Sequence, residues 1–237
     1  MSSKRIRITW LGHSTFKVVS PEGAVILIDP WVMGNPACPE SARQFEKLDI
    51  MLLTHGHFDH IGDAVELGKE HSPEVIGIYE LGHWLEGKGV GNIRPMNKGG
   101  TQRVKDLVIT MVHADHSCGI LDDGKIIYGG EAVGYIIEFS TGFKIYHAGD
   151  TNLFGDMKLI GQIYSPDLAM LPIGDLFTMS PREAAHACAF VGARTVIPMH
   201  FGTFPLLTGT PQKLRELTHH LPELKIVDLK PGEYMDI

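Results

Sequence analysis

The chain of 237 residues is poor in cysteine and has fewer basic than acidic residues. Its three cysteines, Cys38, Cys118 and Cys188, are widely spaced and form no CxxC pair, which argues against disulfides and against a zinc–thiolate site. Lysine and arginine number 21 against 28 acidic residues, so the net charge is −7. Tight binding to a polyanion needs clustered Lys and Arg. Nucleic acid is therefore not an expected partner.

Long apolar runs are also missing. No stretch approaches the roughly 20 apolar residues of a membrane-spanning helix. The N-terminal residues alternate like a strand and lack the apolar core of a secretion signal. We therefore expect a cytoplasmic protein without a membrane span. A hydrophobic content of 43% with 21% charged residues is typical of an ordinary globular chain.

Strand patterns dominate the first part of the chain, and strands alternate with helices in the last third. The apolar run DIMLLT predicts a strand buried on both faces, followed by a helix at 61–71. Residues 180–192 predict a helix that opens with a capping box, and 210–221 predict another. Two sheets with helices outside them, in one domain over residues 1–237, fit this order best.

The segment LLTHGHFDHIGD places four metal-binding side chains directly after that apolar strand. In an extended segment, His55 and His57 point the same way and can meet at one point. Asp59 and His60 lie where the chain turns toward the helix, so they would face a second point nearby. Two adjacent groups of ligands predict two metals, roughly 3.5–4 Å apart as in dinuclear hydrolases. Imidazole and carboxylate suit Zn²⁺ best, with Mn²⁺, Ni²⁺ or Fe²⁺ as alternatives.

Further candidate ligands stand at the ends of later strands. Asp150 follows the strand FKIYHA, and a short carboxylate there could bridge two cations. His200 ends the strand RTVIPM in the same manner. In LVITMVHADHSCG either His113 or His116 could contribute, because pleat alternation cannot choose between them without the register.

These motifs, in this order, resemble the metallo-β-lactamase superfamily. THGHFDH is followed by a later histidine, then by GDT and finally by PMH. The stretches ITWLGHSTF, ILIDP, YHAGDTNLFGDM and IPMHFGTFP resemble a group of small metal-dependent hydrolases of undefined substrate, related to ascorbate-6-phosphate lactonase. A more distant relative of that group is N-acyl-phosphatidylethanolamine phospholipase D.

The resemblance implies an α/β (α+β) fold, a four-layer αββα sandwich of two mixed β-sheets flanked by helices, with the site at one edge. It favours His116 over His113, because the group usually has its ligand immediately before a serine. It also implies that Asp29 orients a ligand histidine, and that His13 contacts substrate or bonds a ligand. The implied ligands are His55, His57 and His116 for one metal, Asp59, His60 and His200 for the other, and Asp150 as the bridge.

The expected chemistry is hydrolysis of an ester, lactone or phosphodiester of a small molecule by a hydroxide on two metals. Asp59 is the expected acceptor of the proton from the shared water. No GxSxG motif is present, which disfavours a serine nucleophile. Three alternatives stay open: a di-iron redox enzyme, which usually has Glu where this chain has His57, a nuclease on the same fold, and a non-catalytic metal-binding module. A homo-oligomer is compatible with the sequence.

Overall fold

Two seven-stranded mixed sheets form the centre of the molecule in the computed structural model, which describes residues 5–237. Residues 1–4 of the N-terminal segment lie outside the described residues. The strands in chain order are β1 (Arg7–Gly12), β2 (Thr15–Val19), β3 (Val25–Ile28), β4 (Ile50–Leu52), β5 (Glu74–Ile78), β6 (Ile93–Met96), β7 (Thr101–Val104), β8 (Leu107–His113), β9 (Gly119–Asp122), β10 (Lys125–Tyr128), β11 (Val133–Glu138), β12 (Lys144–His147), β13 (Leu168–Pro172), β14 (Thr195–Met199), β15 (Lys225–Ile226) and β16 (Tyr234–Asp236).

The two sheets have the same plan. The first has the order β16-β1-β2-β3-β4-β5-β6, and the second has the order β15-β14-β13-β12-β11-β8-β7. In each sheet the three strand pairs at one end are antiparallel and the three at the other end are parallel. Strands β9 and β10 form a separate hairpin.

Helices cover the outer faces of this sandwich. They are α1 (Phe58–Ile61), α2 (Ala64–His71), α3 (Tyr79–Gly87), α4 (Met157–Tyr164), α5 (Pro181–Val191) and α6 (Pro211–Leu217), with one 3₁₀ turn at Glu40–Ala42. Within the described residues, no helix combines the length and apolarity needed to cross a membrane.

Side chains alternate between the two faces of each strand, and this alternation produces the layers of the sandwich. Ile26 and Ile28 face the second sheet and join the core that contains Tyr135, whereas Leu27 between them points to the outer face and packs near Leu67 of α2. A third cluster lies between the second sheet and helices α4, α5 and α6. The expected sandwich of two mixed sheets with helices outside is confirmed.

Several helix boundaries differ from the sequence prediction. The predicted helix at 61–71 is wrong as one continuous element, because α1 and α2 are separated at 62–63. Asp63 there accepts hydrogen bonds from the backbone of Val32 and Met33, which ties the preceding loop to the start of α2. The helix predicted at 210–221 ends earlier, at Leu217. The capping box of α5 is confirmed, with Ser180 N–H donating to Glu183 over 2.8 Å.

Candidate metal centre

The candidate ligands converge at one edge of the sandwich, where loops leave the ends of strands from both sheets. The segment 55–60 follows β4 of the first sheet, and His116 follows β8 of the second. Asp150 lies beyond β12 and His200 directly after β14, both in the second sheet. Because the parallel strands in each sheet run in one direction, their carboxyl ends open onto the same edge.

A single carboxylate oxygen lies at the centre of the cluster. Asp150 Oδ2 is 2.9 Å from His200 Nε2 and 3.2 Å from His60 Nε2. The same oxygen is 3.8 Å from His116 Nε2 and 4.0 Å from His55 Nε2. Asp150 itself is buried. One oxygen surrounded by four imidazole nitrogens is the arrangement that a bridging ligand needs.

The donor atoms fall into two groups on either side of Asp150. The first group is His55, His57 and His116, whose donor atoms all lie within 4.8 Å of one another. The second group contains Asp59, His60 and His200, joined by His13, within the same limit. A third set of the same kind, Asp150 with His55 and His60, joins the two groups. His113 is in neither, because its Nδ1 accepts a hydrogen bond from Lys98 over 3.1 Å at the exposed end of β8.

Asp29 orients a histidine in each group. Its Oδ2 accepts a hydrogen bond from His60 Nδ1–H over 2.8 Å, so that in the neutral ring the lone pair of His60 is on Nε2. The Thr54 hydroxyl donates to the same carboxylate over 2.7 Å, so it must accept from His55 Nδ1, which lies 3.0 Å away. His55 Nε2 therefore also carries a free lone pair. Buried carboxylates behind ligand histidines fix the tautomer in this way.

His57 is held from the exposed side of the site. Its Nδ1 lies 3.0 Å from His55 Nε2, and its Nε2 lies 3.3 Å from the Ser117 hydroxyl. Two unprotonated nitrogens facing each other at that distance repel unless a proton or a cation lies between them. A bound cation would require the tautomer in which His57 Nε2–H donates to Ser117, because only that tautomer directs the Nδ1 lone pair toward His55.

His13 supports Asp59 and is fully buried. Burial lowers the pKa of His13 to about 4, so the ring is neutral. Its Nε2 lies 2.9 Å from Asp59 Oδ2, and since a carboxylate can only accept, the nitrogen donates. The other nitrogen then accepts from the Thr203 hydroxyl over 3.0 Å. His13 thus bonds a candidate ligand, and it does not line the cavity above the site.

Three residues of this network have left-handed backbone conformations. His13, Asp29 and His200 have φ values of 56°, 50° and 55°. Such values are uncommon for residues other than glycine and persist only where surrounding structure holds them. Each of the three stands where the chain turns sharply at the end of a strand, so the strain accompanies placement of its side chain into the cluster.

The electrostatics favour ionised carboxylates and neutral rings at three of the candidate ligand histidines, but they favour positive charge at His60. Burial lowers the pKa of His55, of His57 and of His116. Burial opposes ionisation of Asp150, but His200 and His60 hold its pKa well below the ordinary value. Burial likewise disfavours charge on His60, yet the Asp150 and Asp29 carboxylates raise its pKa well above the usual range. The space beside His60 Nε2 therefore attracts positive charge.

The donor set fits divalent metal ions. His60 Nε2 is buried and points into the cluster, and although Asp150 Oδ2 lies 3.2 Å away, the two atoms do not meet hydrogen-bond geometry. Leaving a buried polar atom unpaired costs about 1–3 kcal/mol, and a bound cation would remove that cost. Imidazole nitrogens with carboxylate oxygens suit Zn²⁺, Mn²⁺, Fe²⁺ or Ni²⁺.

Sequence reasoning missed the hydroxyl residues that support the cluster. Thr54 stands directly before His55, and Thr151 directly after Asp150. The Thr151 hydroxyl accepts from the Asp115 backbone over 3.0 Å, which ties the loop carrying His116 to the loop carrying Asp150. A hydroxyl side chain adjacent to a candidate ligand is the signal that could have found both.

An open cavity of about 560 Å³ leads from solvent to the cluster. Five of the candidate ligands line its floor, and the remaining walls are formed by residues of α1, of the loop after β13 and of the β9–β10 hairpin. A small molecule can therefore reach the cluster directly. The ligands on the floor are His57, Asp59, His116, Asp150 and His200.

The family model, the similar sequences and the solved structures that match this chain agree with one another. Residues 25–201 match the family model described as Beta-lactamase superfamily domain. The chain is 57% identical to a UPF0173 metal-dependent hydrolase of Koribacter versatilis, over 98% of this chain and 99% of that protein. It is also 57% identical to one of Solibacter usitatus, over 96% and 98%. Among solved structures, Igni18, a metallo hydrolase from the archaeon Ignicoccus hospitalis, is 33% identical, with a TM-score of 0.87 over 98% of both chains.

Proposed function

We propose a dinuclear mechanism from the premise that this chain belongs to the β-lactamase superfamily and is a metal-dependent hydrolase akin to the UPF0173 proteins. The proposed reaction is hydrolysis of an ester, a lactone or a phosphodiester in a small molecule. The observation that carries the proposal is the position of Asp150 Oδ2 within 4.0 Å of four imidazole nitrogens, between two groups of donors.

The two groups would each hold one divalent cation, with Zn²⁺ the expected metal. Asp150 would be shared between the two groups, because its Oδ2 is the atom that both approach. The ligands of the first cation would be His55, His57 and His116, and those of the second Asp59, His60 and His200.

When bound, two divalent cations would lower the pKa of a shared water and polarise the bond to be cleaved. Asp59 lines the cavity and can take up the proton that the attacking water loses. Burial opposes ionisation of Asp59, but the hydrogen bond from His13 and the nearby His60 hold its pKa below the ordinary value. Asp59 is therefore an ionised acceptor at neutral pH that holds a proton only briefly, while His13 keeps the carboxylate in place.

In this proposal the chain acts as one domain over residues 1–237. Strands of both sheets contribute to one core, for example Ile28 from the first sheet and Tyr135 from the second. The donors also come from both sheets. Neither half would hold the complete site alone.

The test is turnover by protein stripped of metal with a chelator and then reloaded with Zn²⁺ or Mn²⁺. We expect p-nitrophenyl esters, simple lactones or bis(p-nitrophenyl) phosphate to be hydrolysed by the reloaded protein and not by the stripped protein. A fully loaded protein that cleaves none of these would favour a non-catalytic metal-binding module. Activity restored by iron alone, and dependent on a reductant, would favour a redox enzyme.

A further inference from the structure

The walls of the cavity above the metal centre are apolar, in contrast to its floor. Phe58 at the start of α1 is 59% exposed, and Phe177 in the loop after β13 is 58% exposed. Both line the cavity. A group of exposed apolar side chains around a cleft is typical of a ligand-binding surface.

The β9–β10 hairpin forms a further wall of the same kind. Leu121 and Ile126 are paired directly across its two strands, so they lie on the same face. They are 64% and 80% exposed, and both line the cavity. The opposite face is anchored, because Ile120 is buried in the core. The hairpin is also tied to α3, where the Trp84 indole donates to Asp122 over 2.9 Å.

Charge is distributed unevenly in this cavity. None of the described residues that line it is Lys or Arg, and its only charged side chains are the carboxylates of Asp59 and Asp150 on the floor. A phosphate or carboxylate on the non-reacting part of a substrate would find no cationic side chain there. Such groups are ordinarily recognised by Arg or Lys.

We propose that the non-reacting part of the substrate is an uncharged apolar chain, so that the preferred substrate is a medium-chain carboxylic ester or lactone. This rests on the proposed hydrolytic function. The chain would lie between Leu121 and Ile126 on one side and Phe58 and Phe177 on the other. The occupant is a substrate and not a second protein, because the same cavity contains candidate ligands on its floor.

The reaction needs no further co-reactant. The oxygen of water adds to the acyl carbon, and the acyl C–O bond breaks. One proton of the water passes to the leaving alkoxide, and the other is taken up by Asp59 and released to solvent. The products are a carboxylate and an alcohol, joined in one molecule when the substrate is a lactone. Each methylene group of the acyl chain that becomes fully buried would strengthen binding by about fourfold.

The experiment compares kcat/KM of the Zn²⁺-loaded protein on three p-nitrophenyl esters: acetate, hexanoate and the adipate monoester, which is as long as hexanoate but ends in a carboxylate. We expect hexanoate to exceed acetate by about tenfold or more and the adipate monoester to fall below hexanoate. The double variant Leu121→Gln with Ile126→Gln should lose most of the preference for hexanoate over acetate while keeping its metal content. Ile163→Gln is the matched control, since Ile163 on α4 is 68% exposed but does not line the cavity.

A binding measurement separates this inference from the hydrolytic proposal. Calorimetric titration of the loaded protein with octanoate should show binding that the double variant weakens by about fivefold or more and that Ile163→Gln leaves unchanged. If no ester is cleaved but octanoate binding depends on the hairpin, the apolar binding surface stands, whereas the proposed hydrolysis and the ester substrate that rests on it fail. If esters are cleaved with no preference for hexanoate over acetate, the hydrolysis stands and the inference is overturned. Octanoate binding that is indifferent to the double variant also overturns it.

Discussion

The two groups of donors differ in composition, three histidines against two histidines and a carboxylate, and they also differ in how they are supported. In the second group, His60 donates to the fully buried Asp29 and Asp59 accepts from the fully buried His13. In the first group, His55 donates to the hydroxyl of Thr54, and His57 contacts a hydroxyl at the open side of the site. A carboxylate bonded directly to a ligand histidine fixes the orientation of the ring and raises its basicity. We therefore expect the second group to bind its metal more tightly than the first.

Removing Asp150 should have the largest effect, because Asp150 faces both groups. We expect Asp150→Ala to lose at least one metal equivalent and to lower kcat/KM by more than the roughly 10²–10⁴-fold typical of losing one proton-transfer group. Elemental analysis with the ester assay checks both. Two retained equivalents in Asp150→Ala would show that Asp150 does not hold the groups together.

Asp59→Asn tests the proton transfer within the second group. Asn keeps the shape and one oxygen but removes the charge and the basicity, so kcat should fall by about 10²–10⁴-fold. Metal content should fall less, because His60 and His200 remain. If the variant keeps full turnover with both metals bound, Asp59 is a ligand only and the proton leaves by another route.

The pair His116→Ala and His113→Ala tests the composition of the first group. His116→Ala should lose the weaker metal and most of the activity together, since its Nε2 lies in the first group. His113→Ala should keep both metals, because the side chain is hydrogen-bonded to Lys98 outside the cluster. The opposite result, measured by metal analysis after the same purification, would exclude the ligand set proposed for the first group.

Variants of the residues that support the ligands should have the smallest effects on metal binding, and they compare the two groups most directly. Asp29→Asn should weaken metal binding at the second group by about 10–100-fold, the range typical of residues behind a ligand, and at the first group by less, because it reaches His55 only through Thr54. Thr54→Val should act mainly on the first group, because it removes the acceptor of His55 Nδ1–H. Competition with a chromophoric chelator measures both. Equal effects of the two variants on both metals would show that the groups are not independently supported.

Local patterns explain which parts of this structure could be predicted. The candidate donors from His55 to His60 follow one apolar strand, so their proximity was evident from the chain alone. Choosing between His113 and His116 required either a family resemblance or the pairing of β8 with β11. The contact of His13 with Asp59 joins residues 46 positions apart, and no local pattern indicates it.

Some secondary structure was missed for similar reasons. In α4 the buried Met157 and Ile160 have helical spacing, but the exposed apolar Leu159 and Ile163 obscure the pattern. The β9–β10 hairpin turns at Asp123 and Gly124, a pair that is a known hairpin signal. Its strands are short and have apolar residues on both faces, such as the buried Ile120 beside the exposed Leu121, so the sequence lacks the alternation of apolar and polar residues.

The most direct test of the two-group account is a Zn²⁺ titration of the metal-free protein in competition with a chromophoric chelator. Two unequal sites that share the Asp150 carboxylate should bind two equivalents of Zn²⁺ per chain. The ions should bind in two steps whose dissociation constants differ by about tenfold or more. The step that His116→Ala removes should be the weaker one. A single equivalent at saturation, or two equivalents with the same dissociation constant, would contradict the account.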